Sequence, residues 1–208
     1  MPGEKNNVER AVKSIIRFWL NDRRERRAMF DSFGDRVRSR KVPVEKMVVS
    51  NASDPAFWQS LGGRTDLIVS EDVFEHIPVV DLEKIVAEMC ASLSSDGLAL
   101  IRPMIYSGIS GGHQLEWYPQ TMKRETEPWE HLRRDRHPAN TYLNKLRRQE
   151  YRTLFEKHFE ILEEREKQPD MGRDLMTPAI RDELSDYPDD ELFSNNVLFV
   201  LKPRQPKA

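Results

Sequence analysis

Two short apolar runs joined by an amphipathic helix constrain this chain more than anything else in its sequence. Asp66-Leu67-Ile68-Val69-Ser70 and Leu98–Ile105 read as strands. Between them Leu82, Ile85, Val86, Met89 and Leu93 recur at helical spacing, with Asp81 as the N-cap and Asp96-Gly97 ending the helix. Strand, helix and strand with short connections make a βαβ unit, whose two strands lie parallel. Glu45–Ser50 reads as a further strand, followed by a turn over Asn51-Ala52-Ser53-Asp54-Pro55. Thr141–His158 reads as a helix, and Phe159–Glu163 and Asn196–Leu201 as closing strands, with a helix and loops across residues 164–193. The expected sheet has four to six strands and is predominantly parallel, with 66–70 and 98–105 adjacent and central.

Ahead of this α/β domain, residues 43–208, stands a basic helical arm, residues 1–42. Val8, Ala11, Val12, Ile15, Ile16, Trp19 and Leu20 form its apolar stripe, and Arg23–Arg27 follow. Residues 1–46 hold 13 Lys and Arg against 7 Asp and Glu, while residues 160–193 hold 4 against 12, so the two stretches are complementary in charge. The net charge of −2 gives no global pull toward nucleic acid. The arm also lacks aromatics interleaved on its charged face, which favours a solvated helix over a nucleic-acid site. No apolar run approaches the roughly 20 residues that span a bilayer, and no secretory signal opens the chain. With one cysteine, Cys90, expected as a buried thiol, these features point to the cytoplasm.

Residues 107–140 form a long connection with Gly, Pro and Trp, and such loops carry function when ordered. His113 and His131 lie in it; each titrates near neutrality and is either an acid–base group or a hydrogen-bond partner that pins the loop. Tyr106, Trp117, Tyr118 and Trp129 either line a pocket or glue the loop down. Gly108-x-x-Gly111-Gly112 opens no helix and reads as a loop hinge. A metal needs a third convergent ligand that spacing does not identify, so no metal is expected.

The run from Asp66 to Glu75-His76-Ile77-Pro78 resembles the fourth motif of class I S-adenosylmethionine-dependent methyltransferases. Ser94–Ile101 is similar to that family's turn into its fifth strand, and Val48–Pro55 to its adenine loop. Gly112–Leu115, Pro128–Leu132 and Asn140–Tyr151 look like a type 11-like bacterial branch, so the resemblance spans residues 43–202. It implies an incomplete Rossmann-like α/β sheet, mostly parallel with helices on both faces, drawn from the strand order 3-2-1-4-5-7-6. It also implies S-adenosylmethionine as cofactor and methyl transfer to a small or saccharide-like acceptor. On the cofactor side it points to Asn51, Ala52, Ser70 and Glu71. Asp72, His113 and His131 are then the catalytic candidates around the acceptor, while Glu75 and His76 either cap the next helix or take part in catalysis.

One part of the pattern is missing. The sequence has no Gly-x-Gly-x-Gly after a strand, and no second strand ending in an acid for the ribose. Without those two strands, 45–50 and 66–70 stand about 14 Å apart at a strand spacing of about 4.8 Å. Either the first slides over to pair, another chain fills the open edge in a homo- or hetero-oligomer, or the chain is a truncated product. Weak or absent cofactor binding by this chain alone is expected. The rival reading is a non-catalytic module that binds a protein partner through its sheet edge or basic arm.

Overall fold

Asp54 accepts a hydrogen bond from Ala56 N and Pro55 fixes the first φ, so a seven-residue helix, α1 (Pro55–Leu61), forms where the sequence suggested only a turn. Gly62 closes it in the left-handed region, at φ 59°. The computed structural model describes residues 50–62, 65–113, 126–139 and 141–204, all in a unit covering 50–208. The expected arm helix, the strand over 45–49, Trp117 and Tyr118 lie outside the described residues.

β1 (Thr65–Glu71) runs through a short 3-10 turn, Phe74–His76, into α2 (Val79–Ser92) and then β2 (Leu93–Arg102). β1 and β2 pair in parallel, from Leu67 opposite Leu98 to Glu71 opposite Arg102, as the βαβ pattern demands. Two local expectations need correcting. Pro78, not Asp81, is the N-cap of α2, and Asp81 sits in the first turn, where its negative charge meets the positive end of the helix dipole. Asp96-Gly97 does not end α2, which stops at Ser92. It lies inside β2, where the register jumps from Thr65 opposite Leu93 to Leu67 opposite Leu98 and leaves 94–97 bulged. A Cβ on Gly97 would lie 2.8 Å from Thr65 O, so only glycine lets the two strands close there.

After a short helix, α3 (Glu130–Arg133), come α4 (Arg148–Glu156), β3 (Phe159–Glu166), α5 (Pro178–Glu183), α6 (Asp189–Leu192) and β4 (Val197–Pro203). The sheet order is β1-β2-β4-β3, with β4 antiparallel to both neighbours, so three of the four strands point one way. That is the 4-5-7-6 portion of the strand order implied above. β1 is the edge of the described sheet rather than central. Ala99 and Ile101 of β2 and Val197, Phe199 and Leu201 of β4 are buried under α2 and α4, together with Tyr151, Phe155 and Phe159. On the other face Leu67 and Val69 are 56% and 64% exposed, so the described helices cover one face of the sheet.

A second core joins the connection after β2 to the acidic segment: Ile109 and Trp129 pack with Ile180, Leu184, Leu192 and Phe193. The helix expected over 141–158 covers only Arg148–Glu156. Glu191, buried, explains its start: its carboxylate accepts from the amides of Arg148 and Gln149 at 3.1 and 3.0 Å, and from Ser107 Oγ at 2.8 Å. A carboxylate on the first free amides of a helix satisfies donors that have no partner within the helix.

Candidate active site

Beyond the carboxyl end of β1 the chain makes a tight polar turn. Asp72 takes φ 52°, and its amide donates to Arg102 O at 2.9 Å, which extends the β1–β2 ladder by one residue. Phe74 then inserts into the main core against Phe155, which presents Glu75 and His76 on the far side of the 3-10 turn. The strap over 141–147 holds this turn. Asn144 N donates to Glu75 O at 2.9 Å, and Asn144 Nδ2 donates to Phe74 O and Ile77 O at 2.8 and 3.0 Å. Asn144 Oδ1 accepts from Leu146 N and Tyr151 OH. With the amide N–H and both side-chain polar atoms of Asn144 engaged, and Lys145 in the left-handed region at φ 61°, residues 141–147 do not continue α4.

His113 arrives at the same place from β2. Gly108 N donates to Ile105 O, Gly111 N to Gly108 O, and His113 N to Ser110 O, so 105–113 is a chain of consecutive turns. A Cβ on Gly111 would come within 2.2 Å of Tyr106 O, and one on Gly108 within 2.6 Å of Ser194 O. These glycines therefore build a buried corner rather than a hinge. The corner sets His113 at φ 55°, its ring edge-on to His76 at 4.8 Å and its Nε2 3.8 Å from Glu75 Oε1.

The electrostatics of this cluster are unusual. Glu75 is 3% exposed, and neither carboxylate oxygen has a hydrogen-bond partner. Burial pushes its carboxyl above the usual range; the backbone amides of Glu75 and Met104 counter this from outside hydrogen-bond geometry, as does His76. His113 Nε2 is likewise without a partner, and burial together with His76 lowers its pKa to about 4. His113 is therefore neutral at pH 7 and keeps a free lone pair. His76 Nδ1 lies 3.0 Å from Tyr142 O; a carbonyl only accepts, so Nδ1 carries the proton and Nε2 is left open in the neutral ring.

The other residues singled out from sequence divide around this cluster. Asp72 is beside it: its Oδ2 accepts from Arg102 at 3.4 Å and its Oδ1 from Asn196 Nδ2 at 3.2 Å. Burial raises the Asp72 carboxyl against the opposing pull of Lys167 and His76. Glu71 is exposed and paired with Arg102, and Lys167 lies 3.8 Å away. Ser70 is half-buried at the end of β1. Asn51 and Ala52 are exposed; Asn51 Oδ1 accepts from Ser53 N at 2.9 Å and Ala52 O from Trp58 Nε1 at 2.7 Å. His131 lies in a separate place. It is 5% exposed, its Nε2 donates to Tyr106 O at 2.8 Å, and Gly112 packs on its ring. It helps line a cavity of about 120 Å³ with Tyr106, Asp135 and Lys145, and burial lowers its pKa to about 4. Trp129 is fully buried, its Nε1 donating to Leu192 O, so it glues the loop down. Cys90 is half-buried and donates to His158 O.

Arg102 and Asn144 escaped the sequence reading. Arg102 faces Glu71 only because the bulge at 94–97 shifts the register of the two strands, and nothing in the sequence marked that bulge. Asn144 lay within the Asn140–Tyr151 motif, but nothing local marked its role, since its partners are 67 and 70 residues away. Asn51 Oδ1, on an exposed residue, keeps a lone pair beyond the bond from Ser53 N, and the Glu71 carboxylate is paired with Arg102. No helix of the described residues is long and apolar enough to cross a membrane.

No curated protein sequence matches this chain. Its fold is similar to a crystal structure of a Pyrococcus horikoshii OT3 protein, at TM-score 0.40 and 12% identity, covering 76% of this chain and 58% of that one. It is also similar to a SAM-dependent methyltransferase from Archaeoglobus fulgidus, at TM-score 0.38 and 13% identity, covering 76% and 66%. The chain thus spans less than two thirds of the length of both. A family model described as a methyltransferase domain matches residues 13–163, about three quarters of the sequence, and the chain belongs to that family of class I S-adenosylmethionine-dependent methyltransferases.

Proposed function

We propose that this chain is the acceptor-handling part of an S-adenosylmethionine-dependent methyltransferase, and that a small, saccharide-like acceptor meets Glu75, His76 and His113 beyond the carboxyl end of β1. The observation that carries this reading is the buried pair of His113 Nε2 and the Glu75 carboxylate, 3.8 Å apart and both without hydrogen-bond partners. S-adenosylmethionine supplies the methyl group in this family. The acceptor hydroxyl or amine must lose a proton, and the neutral imidazole of His113 is a base able to take it. Glu75 Oε1, 3.8 Å from His113 Nε2, is the carboxylate that the transferred proton would face. Arg102 and Asn196 occupy Asp72, whose carboxylate orients the turn rather than accepting the proton. His131 holds the loop against Tyr106.

The test is transfer of labelled methyl from S-adenosylmethionine, at saturating concentration, to a panel of sugars and amino sugars. His113→Ala is expected to lower turnover on an accepted sugar about 100-fold, the lower end of what a general base contributes, with little change in the affinity for S-adenosylmethionine. Equal turnover by parent and variant would remove His113 from the chemistry.

A further inference from the structure

Glu75, His76 and His113 each offer one ligand atom, and these three atoms lie within 4.8 Å of one another. They come from two separate parts of the chain that the sheet brings to one rim. The Glu75 oxygens and His113 Nε2 are buried and lack hydrogen-bond partners among the described residues. A buried carboxylate left in that condition is costly unless a cation compensates it. The hydrogen bond from His76 Nδ1 to Tyr142 O supplies a second, independent sign. An imidazole whose Nδ1–H is fixed on a carbonyl presents the Nε2 lone pair, the usual arrangement behind a metal-bound histidine. The backbone under the donors is also held in place, by Asn144 beneath Glu75 and by the Ser110 carbonyl beneath His113.

We propose that Glu75, His76 and His113 bind one divalent transition-metal ion of the zinc type, leaving a coordination position open toward the acceptor rim. Two imidazoles and one carboxylate suit zinc or ferrous iron, whereas magnesium and calcium select all-oxygen sites. Ligand bonds of about 2.0–2.2 Å around a tetrahedral ion set neighbouring donors about 3.3–3.6 Å apart. The 3.8 Å between His113 Nε2 and Glu75 Oε1 is close to that, and side-chain rotation closes the remainder. Asp72 stays outside the ligand set because both its oxygens are engaged by Arg102 and Asn196.

The ion shares the site of the proposed methyl transfer, but its binding does not require that reaction. When bound, it takes the lone pair that His113 otherwise offers as a base. An acceptor hydroxyl in the open position is then acidified by the ion, its O–H bond breaks, the oxygen keeps the electron pair and the proton passes to water.

Chelator-treated chain is titrated with zinc(II) by calorimetry and with cobalt(II) by visible absorption. One ion per chain is expected, with the absorption bands of low-coordinate cobalt. Glu75→Gln and His113→Ala should each weaken binding about 100-fold or more, since even outer-shell changes cost about 10- to 100-fold. His137→Ala, an exposed histidine away from the cluster, should leave it unchanged. Zinc should raise the melting temperature of the parent but not of those two cluster variants. Binding is scored on variants that melt cooperatively, with His76→Gln replacing either one that does not. Absence of saturable binding, or equal affinity in the cluster variants, overturns the proposal and leaves His113 as the base. A failed methyl-transfer assay leaves the metal site standing.

Discussion

His131 is buried with its Nε2 donated to a carbonyl and its Nδ1 without a partner, so protonating it would strand a charge away from water. Its pKa, about 4 in the folded chain against 6.5 for the free side chain, ties stability to pH. The folded value is depressed, so the unfolded state binds more protons below 6.5. Stability is therefore full above that pH and falls as the pH drops toward 4. His113, also lowered to about 4, acts with the same sign. Glu75 acts with the opposite sign: its raised carboxyl contributes stability at low pH that is lost as the pH rises through its folded value. Between pH 7 and 5, His131 alone should remove about 2 kcal/mol. Urea unfolding of parent and His131→Asn at both values checks this. The drop should shrink by about that amount in the variant, and an equal drop in both would mean that His131 is not held neutral.

At the scale of elements, the strap over 141–147 does what a helix there could not, because it leaves Asn144 free to bind the turn after β1. The Asn144 amide donates to two main-chain carbonyls, and its backbone to a third. Asn144→Ala removes the Nδ2 donor from Ile77 O and one of two donors from Phe74 O, which keeps Ile77 N, and should cost about 1–3 kcal/mol for the carbonyl left without a partner. It should also loosen Glu75 and His76, so acceptor turnover falls along with stability. A variant as stable as the parent in denaturant unfolding would show that the strap does not support the turn. α4 depends on tertiary contacts in the same way. Glu191, 43 residues after Arg148 in sequence, caps its first amides and orders the acidic segment against the loop after β2. Acids in that segment also pair with arginines, Glu183 with Arg133 and Asp189 with Arg173 and Arg181.

At the scale of the whole molecule, the four described strands form one mixed sheet in the order β1-β2-β4-β3, with β1 at the described edge. The sequence shows no Gly-x-Gly-x-Gly after a strand. The chain by itself is therefore expected to bind S-adenosylmethionine more weakly than the micromolar range. Calorimetry measures this directly, and low-micromolar affinity would mean that a cofactor cradle is built by residues outside those described.

Periodicity and one motif determined the framework from sequence alone. The 3.6-residue stripe over Leu82–Met89 between two apolar runs fixed a parallel βαβ unit, because only that crossover buries both apolar faces. The run through Glu75-His76-Ile77-Pro78 marked the rim where polar groups gather. Element limits were less legible. The end of α2, the bulge at 94–97 and the start of α4 depend on Thr65, Glu191 and Asn144, partners far along the chain to which local propensity is blind. The site was decided in the same way. Sequence alone put His113 and His131 in one loop as equals. Tertiary structure turned His131 onto Tyr106 O, and set His113 against Glu75 and His76, far back along the chain, because a corner of buried glycines folds it back onto the rim at the end of β1.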